Sequence, residues 1–127
     1  LLLRVRDLMR TREANPLVRE TARVKAVLLA ITKARAGSAS VIDAKGRLVG
    51  IFTDGDLRRH LDSTPNLTQR HVGEVMTRRP KTIGADRLAA EALRILREHH
   101  IDELVVVDRA RRPVGLLDVQ DLLRAGF

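Results

Sequence analysis

The chain has 127 residues, of which 44% are hydrophobic, and this size fits one ordinary domain or two half-domains around a shared interior. No apolar run is long enough to cross a membrane and there is no cysteine for disulfides or thiol chemistry, so we expect a cytoplasmic protein without a membrane partner. The net charge of +8 suits a nucleic acid, a phosphorylated ligand or an acidic protein, but we expect no nucleic-acid partner, because only Phe52 and Phe127 are aromatic and the arginines are spread along the chain.

The first half of the chain predicts a strand, a helix, two strands joined by a turn, and a second helix. Apolar residues at helical spacing mark the first helix, for which Thr21 is the predicted cap. An Asp and a Gly within 43–46 predict the turn. In order, the predicted elements are a helical turn at 5–9, a polar loop at 11–15, an extended piece at 16–18, a helix at 21–34, strands at 39–42 and 48–52, and a helix at 54–61.

The second half predicts the same order after a polar linker at 62–69 that contains Pro65. Asp118 is the predicted cap of the last helix and Gly126 its stop. The predicted elements are a helical turn at 72–76, an extended piece at 80–83, a helix at 86–99, strands at 104–107 and 114–117, and a helix from 118 to about 125. Each half is thus an α/β (α+β) unit of strand, helix, strand, strand and helix.

The order recurs because the sequence repeats. Gly50-Ile51-Phe52-Thr53 with Asp56-Leu57 returns 65 positions later as Gly115-Leu116-Leu117-Asp118 with Asp121-Leu122, and the segment at 5–9 returns at 72–76. A half of this size cannot cover both faces of its sheet. We therefore predict that two halves, 1–63 and 71–127 joined by a linker at 64–70, pack face to face about an approximate two-fold axis. Two clefts then lie between them, each lined by one strand-to-helix corner, and such concave sites usually hold small ligands.

The corner at 53–56 carries residue types that suit a phosphorylated ligand. Thr53 is a predicted N-cap, and Asp54 lies in the first helical turn. Because free backbone N–H groups at a helix start attract anions, we expect Thr53 and the turn at Asp54 to hold a phosphate, with Asp56 accepting hydrogen bonds from a ribose diol. Arg58 and its neighbour Arg59 add positive charge. The alternative is a capped helix with solvated acids, and the repetition of the corner favours binding.

The repeat resembles the CBS domain, and the whole chain resembles one CBS pair, or Bateman module. The resemblance is carried by a strand ending in Val-Asp or Ile-Asp, a turn, and the Gly-apolar-apolar-x-x-x-Asp-Leu pattern, each present in both halves. In that family a Ser/Thr-x-x-Asp element binds adenosine nucleotides, which implies phosphate at Thr53 and ribose at Asp56. In the second half Asp121 matches, but Asp118 replaces the hydroxyl and would repel a phosphate. The implied contacts to the base are Val18, Val41, Thr82 and Val106.

A narrower resemblance joins the stretch at 50–59 and the ending at 121–126 to the C-terminal CBS pair of arabinose-5-phosphate isomerases, over essentially the whole chain. It implies an upstream sugar isomerase domain that interconverts ribulose 5-phosphate and arabinose 5-phosphate, for the synthesis of the lipopolysaccharide sugar Kdo. The implied role of this segment is regulatory. It would bind AMP, ATP or a CMP-sugar, which no residue here tells apart, and it would form homodimers through CBS pairs. The missing initiator Met fits a fragment of a longer chain.

No catalytic residue and no metal site is predicted for this chain. The serines lack a nucleophile-elbow pattern, and the histidines lack metal-ligand spacing. The rival interpretation is a structural module that pairs subunits and binds no ligand. The lost hydroxyl at Asp118 favours this rival at one site, whereas the intact Thr53 and Asp56 favour binding at the other. The histidines in question are His60, His71, His99 and His100.

Overall fold

A computed structural model describes residues 2–127, which form two small sheets and five helices in the predicted α+β order. The helices are Val5–Leu8 (α1), Val24–Ala34 (α2), Asp54–His60 (α3), Ala89–His99 (α4) and Val119–Arg124 (α5). The strands are Leu17–Arg19 (β1), Ser38–Ile42 (β2), Leu48–Thr53 (β3), Thr77–Arg78 (β4), Thr82–Ile83 (β5), Glu103–Val107 (β6) and Pro113–Asp118 (β7). Single 3₁₀ turns lie at Arg12–Ala14, Leu67–Gln69 and Val72–Glu74.

The two sheets have the same internal pairing, as the sequence repeat predicts. The first sheet has the order β1-β2-β3-β4 and the second the order β5-β6-β7. In each, a parallel pair precedes an antiparallel hairpin. The hairpin registers are equivalent, since Ser38 pairs with Thr53 and Glu103 pairs with Asp118.

Each sheet is buried on both faces. One face packs against the helices of its own half, around Phe52 in the first half and Leu117 in the second. The other face packs against the opposite sheet through a small cluster that contains Leu48, Ile51 and Val105. The predicted face-to-face packing of the two halves is therefore confirmed, and it places the strand-to-helix corners beside the opposite half.

The two halves exchange their N-terminal segments. Val5 is fully buried in the core of the second half, whereas Val72 and Met76 lie in the core of the first. The segment before Val72 was predicted to be a polar linker, but Leu67 within it is only 7% exposed and joins the first core, so that part of the prediction is wrong. The division at 64–70 stays a prediction about the repeat in sequence, and the packing crosses it.

Both long helices begin three residues after the predicted starts. The first begins at Val24 rather than after a Thr21 cap, and the second begins at Ala89 rather than at Asp86. Neither has a side-chain cap, because distant backbone carbonyls take that role. The Val24 N–H donates to the Arg70 carbonyl at 2.9 Å, and the Ala89 N–H donates to a carbonyl of the N-terminal segment at the same distance.

Candidate functional site

A cleft of about 550 Å³ lies between the two halves at the end of β3. The first half contributes the β3–α3 corner. The second half contributes the segment at 77–81 and the α4–β6 connection at 99–103. The cleft therefore lies in one of the two positions that the repeat predicted for a small ligand.

Positive side chains dominate the mouth of this cleft. Four cations line it, and the Thr53 hydroxyl lies among them. Three acidic side chains, from Asp54, Asp102 and Glu103, line it as well, so the cleft is polar and of mixed charge with an excess of cations. This composition suits an anionic ligand that also offers hydrogen-bond donors to carboxylates. The four cations are Arg58, Arg59, Arg79 and Lys81.

Thr53 and Asp56 form a capping box at the start of α3. The Asp56 backbone N–H donates to the Thr53 hydroxyl at 3.2 Å, and the Thr53 backbone N–H donates to Asp56 Oδ2 at 2.9 Å. This reciprocal pair satisfies two amides that a helix start leaves without an intrahelical partner. The predicted cap at Thr53 is confirmed, and the Thr53 hydroxyl also donates to Asp56 Oδ2 at 3.2 Å.

The carboxylate of Asp56 is saturated by the protein itself. Its Oδ1 accepts a hydrogen bond from the Thr77 hydroxyl at 2.7 Å and an ion-pair contact from Arg59, while Oδ2 takes part in the capping box. Asp56 is 1% exposed and does not line the cleft. A ribose diol can reach this carboxylate only by displacing Thr77 and Arg59.

Glu103 is the most perturbed titratable group at the site. Burial, followed by the nearby negative charges of Asp118 and Asp102, raises the pKa of Glu103 to about 8. Near neutral pH this side chain is therefore a neutral donor. Burial likewise raises the pKa of Asp118 above its usual value. The two acids lie on paired positions of β6 and β7, Glu103 in the lining of the cleft and Asp118 at the end of β7.

The second corner, at the end of β7, has the same local geometry but a different occupant. Asp118 caps α5 by accepting from the Gln120 N–H at 2.8 Å, as predicted, and its own N–H donates to Asp121 Oδ2 at 3.0 Å. The Arg10 guanidinium lies on this corner. Its Nε donates to Asp121 Oδ2 at 3.1 Å, and its Nη1 donates to the Arg35 carbonyl at 3.0 Å.

The structure brings only part of the predicted ligand set together. Thr53, Asp54 and Arg58 line the cleft, with Asp56 behind them. Asp118 and Asp121 lie at the second corner. The four residues assigned to the base do not line the cleft, and their role stays a prediction. Two of these are fully buried in the helix-side cores and two are partly buried; they are Val41, Val106, Val18 and Thr82.

The strand register also corrects one of those assignments. Val18 pairs with Val41, but Thr82 pairs with Val105, and Ile83 is the residue opposite Val106. The position equivalent to Val18 is therefore Ile83 rather than Thr82.

Several residues of the site were not predicted from the sequence. Thr77, Arg79 and Lys81 come from the start of the second repeat, and Glu103 lies at the first position of β6. A signal existed for the first of them: the match between 5–9 and 72–76, extended by one residue, aligns Arg10 with Thr77. The structure gives the two residues equivalent places, opposite Leu116 and Ile51.

Residues 2–127 contain neither a membrane-spanning helix nor a cluster of metal ligands. None of the helices there has the length and apolar character needed to cross a bilayer. Over the same residues, no three or more His, Cys, Asp or Glu side chains are grouped so as to hold a metal ion.

Comparison with known families matches the CBS domain to this chain at residues 5–63 and again at 72–127. Among curated relatives, the arabinose 5-phosphate isomerase KdsD of Pseudomonas aeruginosa is 47% identical over 126 residues, and that of Escherichia coli K12 is 39% identical over 126 residues. Each alignment covers 99% of this chain but only 39% and 38% of the respective relative. The chain thus spans about two fifths of the length of these relatives.

Solved structures give the same result for the fold. The CBS domain pair of protein MJ0100, in complex with 5′-methylthioadenosine and S-adenosyl-L-methionine, superimposes with a TM-score of 0.89 at 22% identity, over 98% of this chain and 96% of that chain. CBSX2 in complex with AMP superimposes with a TM-score of 0.80 at 26% identity, over 97% of this chain and 95% of that one. The predicted tandem-repeat fold is confirmed.

Proposed function

The chain belongs to the CBS domain family, and from that premise we propose that it is a regulatory module that binds a nucleotide in the cleft between its two repeats. The observation that carries the proposal is the cleft itself, with a free volume of about 550 Å³ beside the Thr53 hydroxyl and four cationic side chains. Cavities of this size are typical of small-molecule sites. The AMP complex of CBSX2 supports a nucleotide as the ligand class.

The phosphate is expected among the cations of the cleft. Arg58, Arg79 and Lys81 line it and are not engaged in the ion pairs of residues 2–127. The Thr53 hydroxyl, which donates to Asp56 Oδ2 at 3.2 Å, adds a hydrogen bond to the phosphate when it rotates away from that acceptor. The ribose is expected at Asp56, where its diol takes the place of the Thr77 hydroxyl and of Arg59. Binding thus replaces the hydrogen bond from Thr77 to Asp56 with bonds from the ligand and releases β4 from the corner. In this way the ligand would change the conformation of the module.

One observation favours the rival, a structural module without a ligand. Both carboxylate oxygens of Asp56 already accept hydrogen bonds from groups of this chain, and the residue is 1% exposed. Such a network stabilises the corner without any ligand. The two functions differ in what they predict for Thr77: a ligand must displace it from Asp56, whereas a structural module keeps it there.

We also propose that the module is part of an arabinose 5-phosphate isomerase. The support is the identity to the KdsD proteins, 47% and 39%, over nearly all of this chain. In that setting the isomerase domain is the partner that the ligand controls, by a coupling of about 1–3 kcal/mol. An adenine nucleotide and a CMP-sugar remain the two candidate ligands, and the homodimer through CBS pairs and the cytoplasmic location stay predictions.

The test is thermal unfolding of the chain with AMP, ATP, CMP and a CMP-sugar, each in excess. A ligand at ~100 times its Kd adds about 2.7 kcal/mol to the free energy of unfolding. The shift should shrink in Lys81→Gln, which removes a cation of the cleft. It should persist in Arg109→Gln, which removes an exposed cation of the β6–β7 turn. No shift with any of the four compounds would favour the structural rival.

A further inference from the structure

The two corners of this CBS pair are equivalent by fold but differ in their polar and charged side chains. Asp121 takes the place of Asp56, and Asp118 takes the place of Thr53. The carboxylate of Asp118 thus stands where the first corner offers a hydroxyl. Asp118 and Asp121 are thus the two acids of the second corner, and Glu103, which pairs with Asp118 across β6 and β7, lines the first cleft. The Asp118 carboxylate repels an anionic ligand at the position where the first corner offers a hydroxyl.

Of the four cations that line the first cleft, two have no counterpart at the second corner, whereas Arg59 and Arg79 correspond to Arg124 and Arg12. By the repeat offset of 65, Arg58 corresponds to Leu123, and Lys81 corresponds to Pro16. Leu123 is 46% exposed, so the corner presents an apolar side chain where the first has a guanidinium. The two losses remove positive charge from the positions where a phosphate would be held.

Arg10 bridges the two halves at the second corner, from α5 to the end of α2. It corresponds to Thr77, since Arg10 bridges to Leu116 as Thr77 pairs with Ile51. Its guanidinium reaches Asp121 on one side and the Arg35 carbonyl at the end of α2 on the other. The side chains of Arg10 and Asp121 are 19% and 11% exposed, so this ion pair is largely withdrawn from water. The residue of the first cleft that is equivalent to Arg35 is His100, and it lines the cleft.

We propose that Arg10 is a built-in occupant of the second corner, and that together with Asp118 it excludes an anionic ligand there, so the CBS pair takes one nucleotide per chain. The count of one rests on the proposed function, whereas the occupancy by Arg10 does not. The two corners of the CBS pair therefore differ. The first has a small hydroxyl at Thr77 that a ligand displaces, and the second has the ion-paired guanidinium of Arg10, which stays in place.

The occupancy is tested on the full chain by NMR of the arginine side chains. The Arg10 Nε–H, assigned by its loss in Arg10→Thr, should exchange with water at least about tenfold more slowly than that of the exposed Arg109, because it is hydrogen-bonded to Asp121. This rate should not change when AMP is added in excess. Exchange as fast as that of Arg109, with or without AMP, would overturn the proposal.

The exclusion is tested by equilibrium dialysis with AMP as the probe. The wild-type chain and the control Arg109→Thr should bind one AMP per chain. The double variant Arg10→Thr/Asp118→Thr places the equivalents of Thr77 and Thr53 at the second corner, removing the guanidinium and the facing carboxylate, and should gain a second, weaker site. Two AMP per chain in the wild type, or one in a folded double variant, would contradict the exclusion. If AMP binds nowhere, the nucleotide proposal fails with this probe, while the exchange rate of Arg10 still decides its occupancy.

Discussion

Glu103 shows how one substitution within a symmetric fold changes the chemistry of a site. Its equivalent in the first repeat is Ser38, which is fully buried, and the two residues pair with Asp118 and Thr53 in the same register. The second repeat thus places a long acid where the first has a short hydroxyl. The acid lies close to Gly37, where an added Cβ would be 2.8 Å from Glu103 Oε1. A glycine at 37 therefore makes room for the carboxyl group.

The raised pKa of Glu103 predicts a pH-dependent stability. The folded state keeps a proton up to a pKa of about 8, whereas the unfolded chain loses it near the usual value of 4.5. Between these values the folded state binds more protons, so the free energy of unfolding falls as pH rises, by about 1.4 kcal/mol per pH unit from this group. Glu103→Gln should flatten that fall between pH 6 and pH 8, as measured by urea unfolding.

The matched control for that experiment is Glu98→Gln, which changes an exposed acid of α4. Its pH profile should run parallel to that of the wild type. A Glu103→Gln profile that is also parallel to the wild type would mean that Glu103 ionises as in the unfolded chain. Above pH 8 all three proteins should have parallel profiles, since the acid is then ionised in both states.

At the scale of elements, two close backbone approaches hold the exchanged segments on their sheets. Gly50 on β3 and Gly115 on β7 are equivalent positions, and each faces a methionine of the segment that crosses from the other repeat. A Cβ at Gly50 would lie 2.5 Å from Met76 Sδ and 2.9 Å from the Thr77 carbonyl. The absence of a side chain at 50 therefore lets β4 approach β3 and places Thr77 on Asp56.

Gly50→Ala should destabilise the protein by about 1–3 kcal/mol, because an added methyl group overpacks a fully occupied contact. It should also loosen the contact between Thr77 and Asp56 in the absence of a nucleotide, since β4 pairs with β3 at Gly50 and Ile51. Urea unfolding measures the first effect. The control is Gly84→Ala, where the nearest atom to an added Cβ is 3.8 Å away. Equal stability of the two variants would show that β4 yields without cost.

The elements that the sequence predicted well are those with local signals. The caps at Thr53 and Asp118 could be predicted because a helix cap depends on residues within four positions of one another in the sequence. The starts of α2 and α4 were placed too early because their first amides are satisfied by carbonyls far away in sequence, which no local pattern reports. The occupancy of the second corner by Arg10 has the same cause: its ion pair spans 111 positions.

At the scale of the whole molecule, the exchange of N-terminal segments joins the two repeats into one unit. Val5 and Val72 are equivalent residues, both with 0% exposure, and each fills the core of the other repeat. Their N–H groups donate across the repeats as well, to Arg87 and Ala22, each at 2.8 Å. Since each half completes the core of the other, a change in the cleft between them acts on both cores.

This exchange predicts that a core mutation loosens the opposite repeat. Val5→Ala should open the second sheet, and Val72→Ala the first, because each valine packs against that sheet's helices. Each change should cost about 1–3 kcal/mol, the usual range for removing buried methyl groups. Native-state hydrogen exchange measures the effect by repeat: amides at 103–118 should lose protection in Val5→Ala, and those at 38–53 in Val72→Ala. The control Val114→Ala, at a position 38% exposed, should leave both sheets protected. If Val5→Ala instead opened 38–53, each repeat would be stabilised by its own N-terminal segment and the two halves would fold as independent units.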